Sequence, residues 1–195
     1  MDSRVQESRK RLFYIFMFFT FAIGGWLWEG IYDLLNFGVL ANHGVLLGPW
    51  LPIYGFGGVL LFLLLNRFRK YPVVVFMGSF VFCTIIEYGT GLYLEITKGR
   101  TWWNYNNIPF NIDGKICLLS SIIFGIAGVL LIYFMGPKLK NFYYKLDYKR
   151  AAIIVLFLMA IFTLDFIHST NHPNIVKRYH VIETKSIGEF KLFKK

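Results

Sequence analysis

A chain of 195 residues that is 56% hydrophobic and 19% aromatic has more apolar surface than a soluble core of that size can hide, which excludes a soluble globular domain and turns the surplus toward lipid. Its formal charge of +10 does not point to nucleic acid, because the Lys and Arg residues sit at the ends of apolar runs and form no continuous basic stripe. The two cysteines, Cys83 and Cys117, lie in apolar runs without C-x-x-C spacing and read as buried thiols, so neither a zinc site nor a redox pair is expected.

An α-helix needs about 20 apolar residues to cross a hydrocarbon core of roughly 30 Å. Five such stretches follow one another, which predicts an all-α membrane protein with one transmembrane domain over residues 1–170 and a basic polar tail over 171–195. The first stretch, 12–35, follows Arg9, Lys10 and Arg11 but runs on through Trp26 and Trp28, too long for a cleaved signal and without an A-x-A site. The second, 45–65, carries Gly48-Pro49-Trp50, Pro52, Gly55, Gly57 and Gly58. There the proline invites a kink and the glycines permit close helix approach, so the pattern reads chiefly as packing.

The third stretch is 72–94 and the fourth, free of charge, is 116–135. Between them a connection over 98–115 interleaves Trp102, Trp103, Tyr105 and Phe110 with Asn104, Asn106, Asn107 and Asn111, either as an anchor at the headgroup level or as a lid. A basic loop over 136–150 leads to the fifth stretch, 151–167. This is the weakest, uncharged only as far as Leu164, and a re-entrant or interfacial segment is its alternative.

In a five-helix arrangement one side collects Arg4, Arg9, Lys10, Arg11, Arg67, Arg69, Lys70, Lys138, Lys140, Lys145, Lys149 and Arg150; the other has Lys98, Arg100, Lys115 and the tail. Positive charge resists translocation, so the amino terminus is expected in the cytoplasm and the carboxy terminus outside it.

A charge at the centre of a bilayer costs about 2.5–3.5 kcal/mol on insertion scales, so Glu29, Asp33, Glu87, Glu95, Asp165 and His168 each need a partner, water or a proton. Counted from the cytoplasmic ends of their helices, Glu29, Glu87 and Asp165 stand at similar heights, about 21 to 26 Å along. That predicts an outward-facing polar pocket lined by these acids with Trp50, Tyr54, Tyr88 and Ser121, under a loop that supplies Trp102, Trp103, Tyr105 and Asn111. Asp165, His168 and His172 are of metal-binding type, and Ser120 or Ser121 with His168 and Asp165 are of triad type. Neither set has the H-E-x-x-H or G-x-S-x-G spacing that would specify the chemistry, so no cofactor and no catalytic residue is expected.

Taken in order, Gly25-Trp26-Leu27-Trp28-Glu29, the run from Gly48 to Gly57, Glu87-Tyr88, Trp102-Trp103-Asn104-Tyr105, Pro109-Phe110-Asn111-Ile112, Gly114 to Leu118, and Ser121 to Gly125 resemble the bacterial family named putative ABC-transporter type IV, the CmpB-like permeases. The resemblance covers about 13–137 and extends toward Asp165. This chain departs from the pattern at Asn104, where Asp is expected, and at Lys115, where Arg is expected; both weaken roles that need a carboxylate or a bidentate guanidinium.

The resemblance implies a permease. Because the 195 residues contain no G-x-x-x-x-G-K-[ST] loop, it also implies a separate ATPase subunit, and five helices imply a homodimer or a larger partner. The 136–150 loop would be the docking surface, or simply a basic loop against lipid headgroups. Two other readings stand beside the permease: a membrane-embedded enzyme or lipid-handling protein at the outer leaflet, and an accessory membrane subunit.

Overall fold

The structure, a computed structural model, describes residues 3–38, 44–99 and 103–172, apart from the side chains of 36, 37 and 98. Trp102 and the tail from 173 onward therefore lie outside the described residues. The elements are α1 (Ser3–Phe37), α2 (Pro52–Leu65), α3 (Pro72–Lys98), β1 (Asn111–Ile112), β2 (Ile116–Cys117), α4 (Leu118–Leu130), α5 (Gly136–Lys145) and α6 (Tyr148–Asn171). Helix dominates because lipid offers no partners to backbone N–H and C=O groups. Hydroxyls along the helices obey the same constraint: Thr20, Ser79, Thr84 and Thr163 donate to the carbonyl four residues back at 2.7 to 2.8 Å.

Four helices are long and apolar enough to cross a membrane, namely Ser3–Leu35, Pro72–Thr97, Leu118–Lys145 and Tyr148–Asn171, so the chain is a multi-pass membrane protein. The expected second crossing is not among these four: residues 44–51 form a bent segment, the helix starts only at Pro52, and Pro52–Phe68 is an apolar helix shorter than 18 residues. The stretch expected to be weakest gains length instead. The Asp147 side chain accepts from Lys149 N at 3.1 Å and starts α6 three residues early, giving 24 residues and removing the length argument for a re-entrant segment.

The expected loop over 136–150 is also corrected. A widened π-type turn, Leu131–Met135, carries α4 directly into α5, with Gly136 N–H donating to Leu131 O. The widened turn takes up Pro137, whose ring and missing N–H would break a regular helix.

The described chain divides into two compact units, one made of Met1–Val59 with Tyr143–Lys195 and the other of Leu60–Phe142. In the first, α1 and α6 run side by side in the same direction. The Tyr143 ring, just before α6, lies 5.4 Å from both Phe13 and Phe16, while Phe162 lies 5.7 Å from Phe18 and Phe19 further along. Arg9 fixes the starting end by donating to the carbonyls of Tyr144 (2.9 Å) and Leu146 (2.8 Å), where a helix exposes unpaired acceptors. Phe19, Ala22, Leu46 and Trp50 form the buried core above it. Gly55 and Gly58 bring α2 onto α1, since a Cβ at either would overlap Phe18 or Phe21, which is the packing role expected of these glycines.

In the second unit α3 and α4 pack antiparallel. Ser79, fully buried, sits against Gly128, Thr84 meets Ser121, and Glu87 meets Ser120. Pro72 opens α3 at a position that needs no N–H, and Gly99 closes it with φ +65°, donating to Glu95 O.

Candidate functional site

The polar centre of the second unit is built by a small hairpin. Asp113 and Gly114 have φ of 51° and 61°, the consecutive positive values of a type I′ turn that Asp-Gly favours, and Lys115 N donates to Ile112 O across them at 3.0 Å, so that three residues, Asp113 to Lys115, connect the strands. The turn pairs Ile112 with Ile116 and Asn111 with Cys117. Asn111 holds it from inside, accepting from Gly114 N at 3.1 Å and donating to Ile108 O at 2.8 Å. Trp103 donates its indole N–H to Lys115 O at 2.7 Å, and Tyr105 N donates to Gly114 O at 2.8 Å. Asn104, where the family pattern expects Asp, uses its side-chain oxygen to accept from Asn106 N at 2.9 Å, a turn that either residue can make.

The hairpin delivers Cys117 to the start of α4, where its thiol accepts from Ser120 N at 3.4 Å and Ser120 Oγ accepts from Cys117 N at 3.3 Å. This reciprocal cap turns the Ser120 hydroxyl toward α3. Glu87, half-buried on α3, then receives Tyr105 OH on Oε1 at 3.0 Å and faces Ser120 Oγ across 3.1 Å on Oε2. Ser121 donates to Cys117 O at 3.1 Å and lies 2.8 Å from Thr84 Oγ1. An acid within an apolar helix thus meets neutral hydroxyls.

One face further along α3, the hairpin is strapped down twice. Tyr88 OH donates to Asp113 at 2.8 Å, and the Lys115 ammonium, on a buried side chain, pairs with Glu95 at 2.8 Å. Gly91 makes the room, because the Lys115 stem and the Trp103 ring stand 3.3 to 3.5 Å from where its Cβ would be. The hydrogen bond to Glu95 raises the Lys115 pKa above its ordinary value. Burial, and after it the charge of Glu87, raises that of Tyr105, so its phenol remains a donor at neutral pH.

The acids of the first unit are held differently. Asp165 accepts from Leu47 N (3.1 Å) and Ser169 Oγ (3.0 Å) on one oxygen, and from Gly48 N (2.9 Å) and Trp50 Nε1 (2.6 Å) on the other. That fills the acceptor capacity of a carboxylate. It also explains Gly48-Pro49-Trp50: the indole folds back over Gly48, leaving no space for a Cβ, and reaches α6. Leu51 N then donates to Ala22 O at 2.9 Å, seating the bend on α1. Glu29, half-buried, accepts from Tyr54 OH at 3.0 Å, and the Tyr54 ring lies on Gly25, one turn before Glu29 on α1.

Of the expected pocket residues, Glu29, Trp50, Tyr54 and Asp165 belong to the first unit, and Glu87, Tyr88, Trp103, Tyr105, Asn111 and Ser121 to the second. Trp102 lies outside the described residues. Lys115 with Glu95, Asp113 and the Cys117 cap are the contributors that residue reading did not single out as site residues. The Asp-Gly pair was their signal, since it marks a hairpin even between very short strands. His168 and His172 rings stand 5.1 Å apart, and no group of three or more His, Cys, Asp or Glu that could hold a metal occurs among the described residues.

Comparison with known proteins gives one match: the family model described as Putative ABC-transporter type IV aligns with residues 16–170. No curated protein and no solved structure matches the chain.

Proposed function

This chain belongs to the putative ABC-transporter type IV family, and from that membership we propose that it is the membrane-embedded permease component of a transport system driven by a separate ATPase. The observation that carries the reading is the hydroxyl-lined Glu87 centre: a polar site set within helices that are otherwise apolar is what a solute path requires and what a passive anchor has no use for. These 195 residues contain no phosphate-cradling G-x-x-x-x-G-K-[ST] loop, which supports the reading of a separate ATPase.

The proposed solute contacts are Glu87, Tyr88, Trp103 and Tyr105 in one unit and, separately, the hydrogen-bonded Glu29 and Tyr54 pair in the other. A homodimer supplies the helices that one copy lacks. The lysines of α5, with Lys138 and Lys145 on one face and Lys140 on the other, are the proposed seat of the ATPase on the cytoplasmic side.

Parity supports the proposed topology. A chain that leaves α1 at one end and re-enters parallel α6 at the other must cross an odd number of times in between. Antiparallel α3 and α4 supply two crossings, so Pro52–Phe68 supplies the third, at a length close to the lower limit of about 17 residues for a spanning helix. The amino terminus is then cytoplasmic, with Arg4, Arg9, Lys10 and Arg11 at the same end as Lys145, Lys149 and Arg150.

The test is direct. Mild-detergent extraction of the tagged chain from native membranes should retain an ATP-hydrolysing partner, and Lys138→Glu with Lys140→Glu should release it. A chain that moves solute after reconstitution alone, with no ATPase bound, would sink the proposal. For topology, Lys70→Cys and Lys149→Cys should label from one side and Asn107→Cys from the other.

A further inference from the structure

We infer that Glu87 is a reversible proton-binding site within the membrane, built so that each of its carboxyl oxygens keeps a hydrogen-bond partner with the proton or without it. As a carboxylate, Glu87 accepts from Tyr105 OH on Oε1 at 3.0 Å and from Ser120 OH on Oε2 at 3.1 Å. When a proton from water adds to Oε2, the same 3.1 Å contact is kept with its direction reversed, Glu87 donating and Ser120 Oγ accepting.

The hydroxyl hydrogen that Ser120 withdraws has a second acceptor already in reach, Cys117 O at 2.9 Å. Ser120 Oγ then accepts from Glu87 and from Cys117 N at 3.3 Å while donating once, and Tyr105 continues to donate to Oε1. No bond other than O–H is made or broken. A hydroxyl can reverse roles in this way without moving its heavy atom.

The surroundings fit proton exchange better than charge pairing. The titratable groups facing Glu87 are Cys83, one turn back on α3, Tyr105 on the connection, and Cys117 at the start of α4; none is a cation. No Lys, Arg or His is paired with it among the described residues, and the Lys115 ammonium is engaged by Glu95. An acid in an apolar helix that lacks a cation needs other donors, water or a proton, and the hydroxyls around Glu87 can serve it in either state.

Asp165 is the internal contrast. Three of its four donors are the N–H groups of Leu47, Gly48 and the Trp50 indole, which cannot accept, and each carboxyl oxygen takes at least one of them; only the Ser169 hydroxyl, on the oxygen shared with Leu47 N, could reverse. Glu87 differs in facing hydroxyls alone.

Infrared difference spectra of the full chain in lipid, titrated between about pH 4 and about pH 9, read this without any transport assay. A protonated-carboxyl C=O band that appears and disappears with pH is expected in the unmodified chain and in Asp165→Asn, and is expected to be missing in Glu87→Gln. Ser120→Ala, which keeps the acid but removes its reversible partner, should move the midpoint by about one pH unit or more, and it carries the test if Glu87→Gln does not fold. A band unchanged by Glu87→Gln, a carboxyl that does not titrate, or a midpoint indifferent to Ser120→Ala overturns the inference. So does a midpoint that follows sodium concentration at fixed pH, because the ligand would then be a metal cation.

Discussion

Trp50 donates its indole N–H to Asp165 across 2.6 Å, and through that bond the bend after α1 is held on α6, 115 residues further along the chain. The same carboxylate satisfies two backbone N–H groups of the bend, for which lipid offers no acceptor. Asp165→Ala removes that acceptor and should lower stability by about 2 to 4 kcal/mol. Thermal unfolding in detergent, followed by tryptophan fluorescence, measures it. Asp165→Asn should lie between, since its amide keeps one acceptor but turns an N–H₂ toward donors; an unchanged midpoint for the alanine variant would remove the tether.

Gly25 and Gly57 make a matched pair of probes. A Cβ at Gly25 would overlap the Tyr54 ring, whereas Gly57 has nothing within 4 Å. Gly25→Ala should therefore destabilise by about 1 to 3 kcal/mol and break the Tyr54 contact with Glu29. Gly57→Ala should be neutral or slightly stabilising, because alanine suits a helix better than glycine. Equal effects of the two substitutions would contradict the close approach.

The Cys117 cap predicts a chemical ranking. Cys117→Ser retains a side-chain acceptor for Ser120 N and should cost little, while Cys117→Ala removes it and should cost about 0.5 to 2 kcal/mol. Melting temperatures of the two variants decide the order, and the reverse order would mean that the thiol acts by packing and not by capping.

Alkaline pH should loosen the hairpin, and neutral or mildly acidic pH should not. Both Lys115 and Tyr105 have pKa values raised above their ordinary 10.5 and 10.0, so the folded form holds their protons more tightly than the unfolded one. Their contribution is complete below those ordinary values and declines as pH rises through the raised ones. Proteolysis or hydrogen exchange over 103–117 should thus be flat from about pH 6 to about pH 9 and increase above about pH 10. Tyr105→Phe should remove part of that rise, and Glu95→Gln should speed exchange even at neutral pH by leaving the Lys115 ammonium unpaired.

Much of this architecture could be read from residues alone, and the exceptions share a cause. Four long apolar helices, the polar residues within them and the packing role of Gly55 and Gly58 follow from length and residue size, which a window along the chain records well. The late start of α2 and the continuation of α4 through Pro137 depend on hydrogen bonds, which hydropathy does not register. The hairpin hides for a related reason: four strand residues are too few to show alternation beside Trp103 and Phe110, and only Asp113-Gly114 betrays it. Pairing Lys115 with Glu95 requires that hairpin, so it could not be anticipated without it.

The widened turn at Leu131–Met135 acts on α5 like an offset coupling on a shaft. Its extra residue shifts everything downstream by roughly a quarter turn relative to an unbroken helix. Lys138 and Lys140 consequently point along a bearing that α4 alone would not assign them. Deleting one residue there would swing those ammonium groups around the axis while leaving the composition of the helix almost untouched.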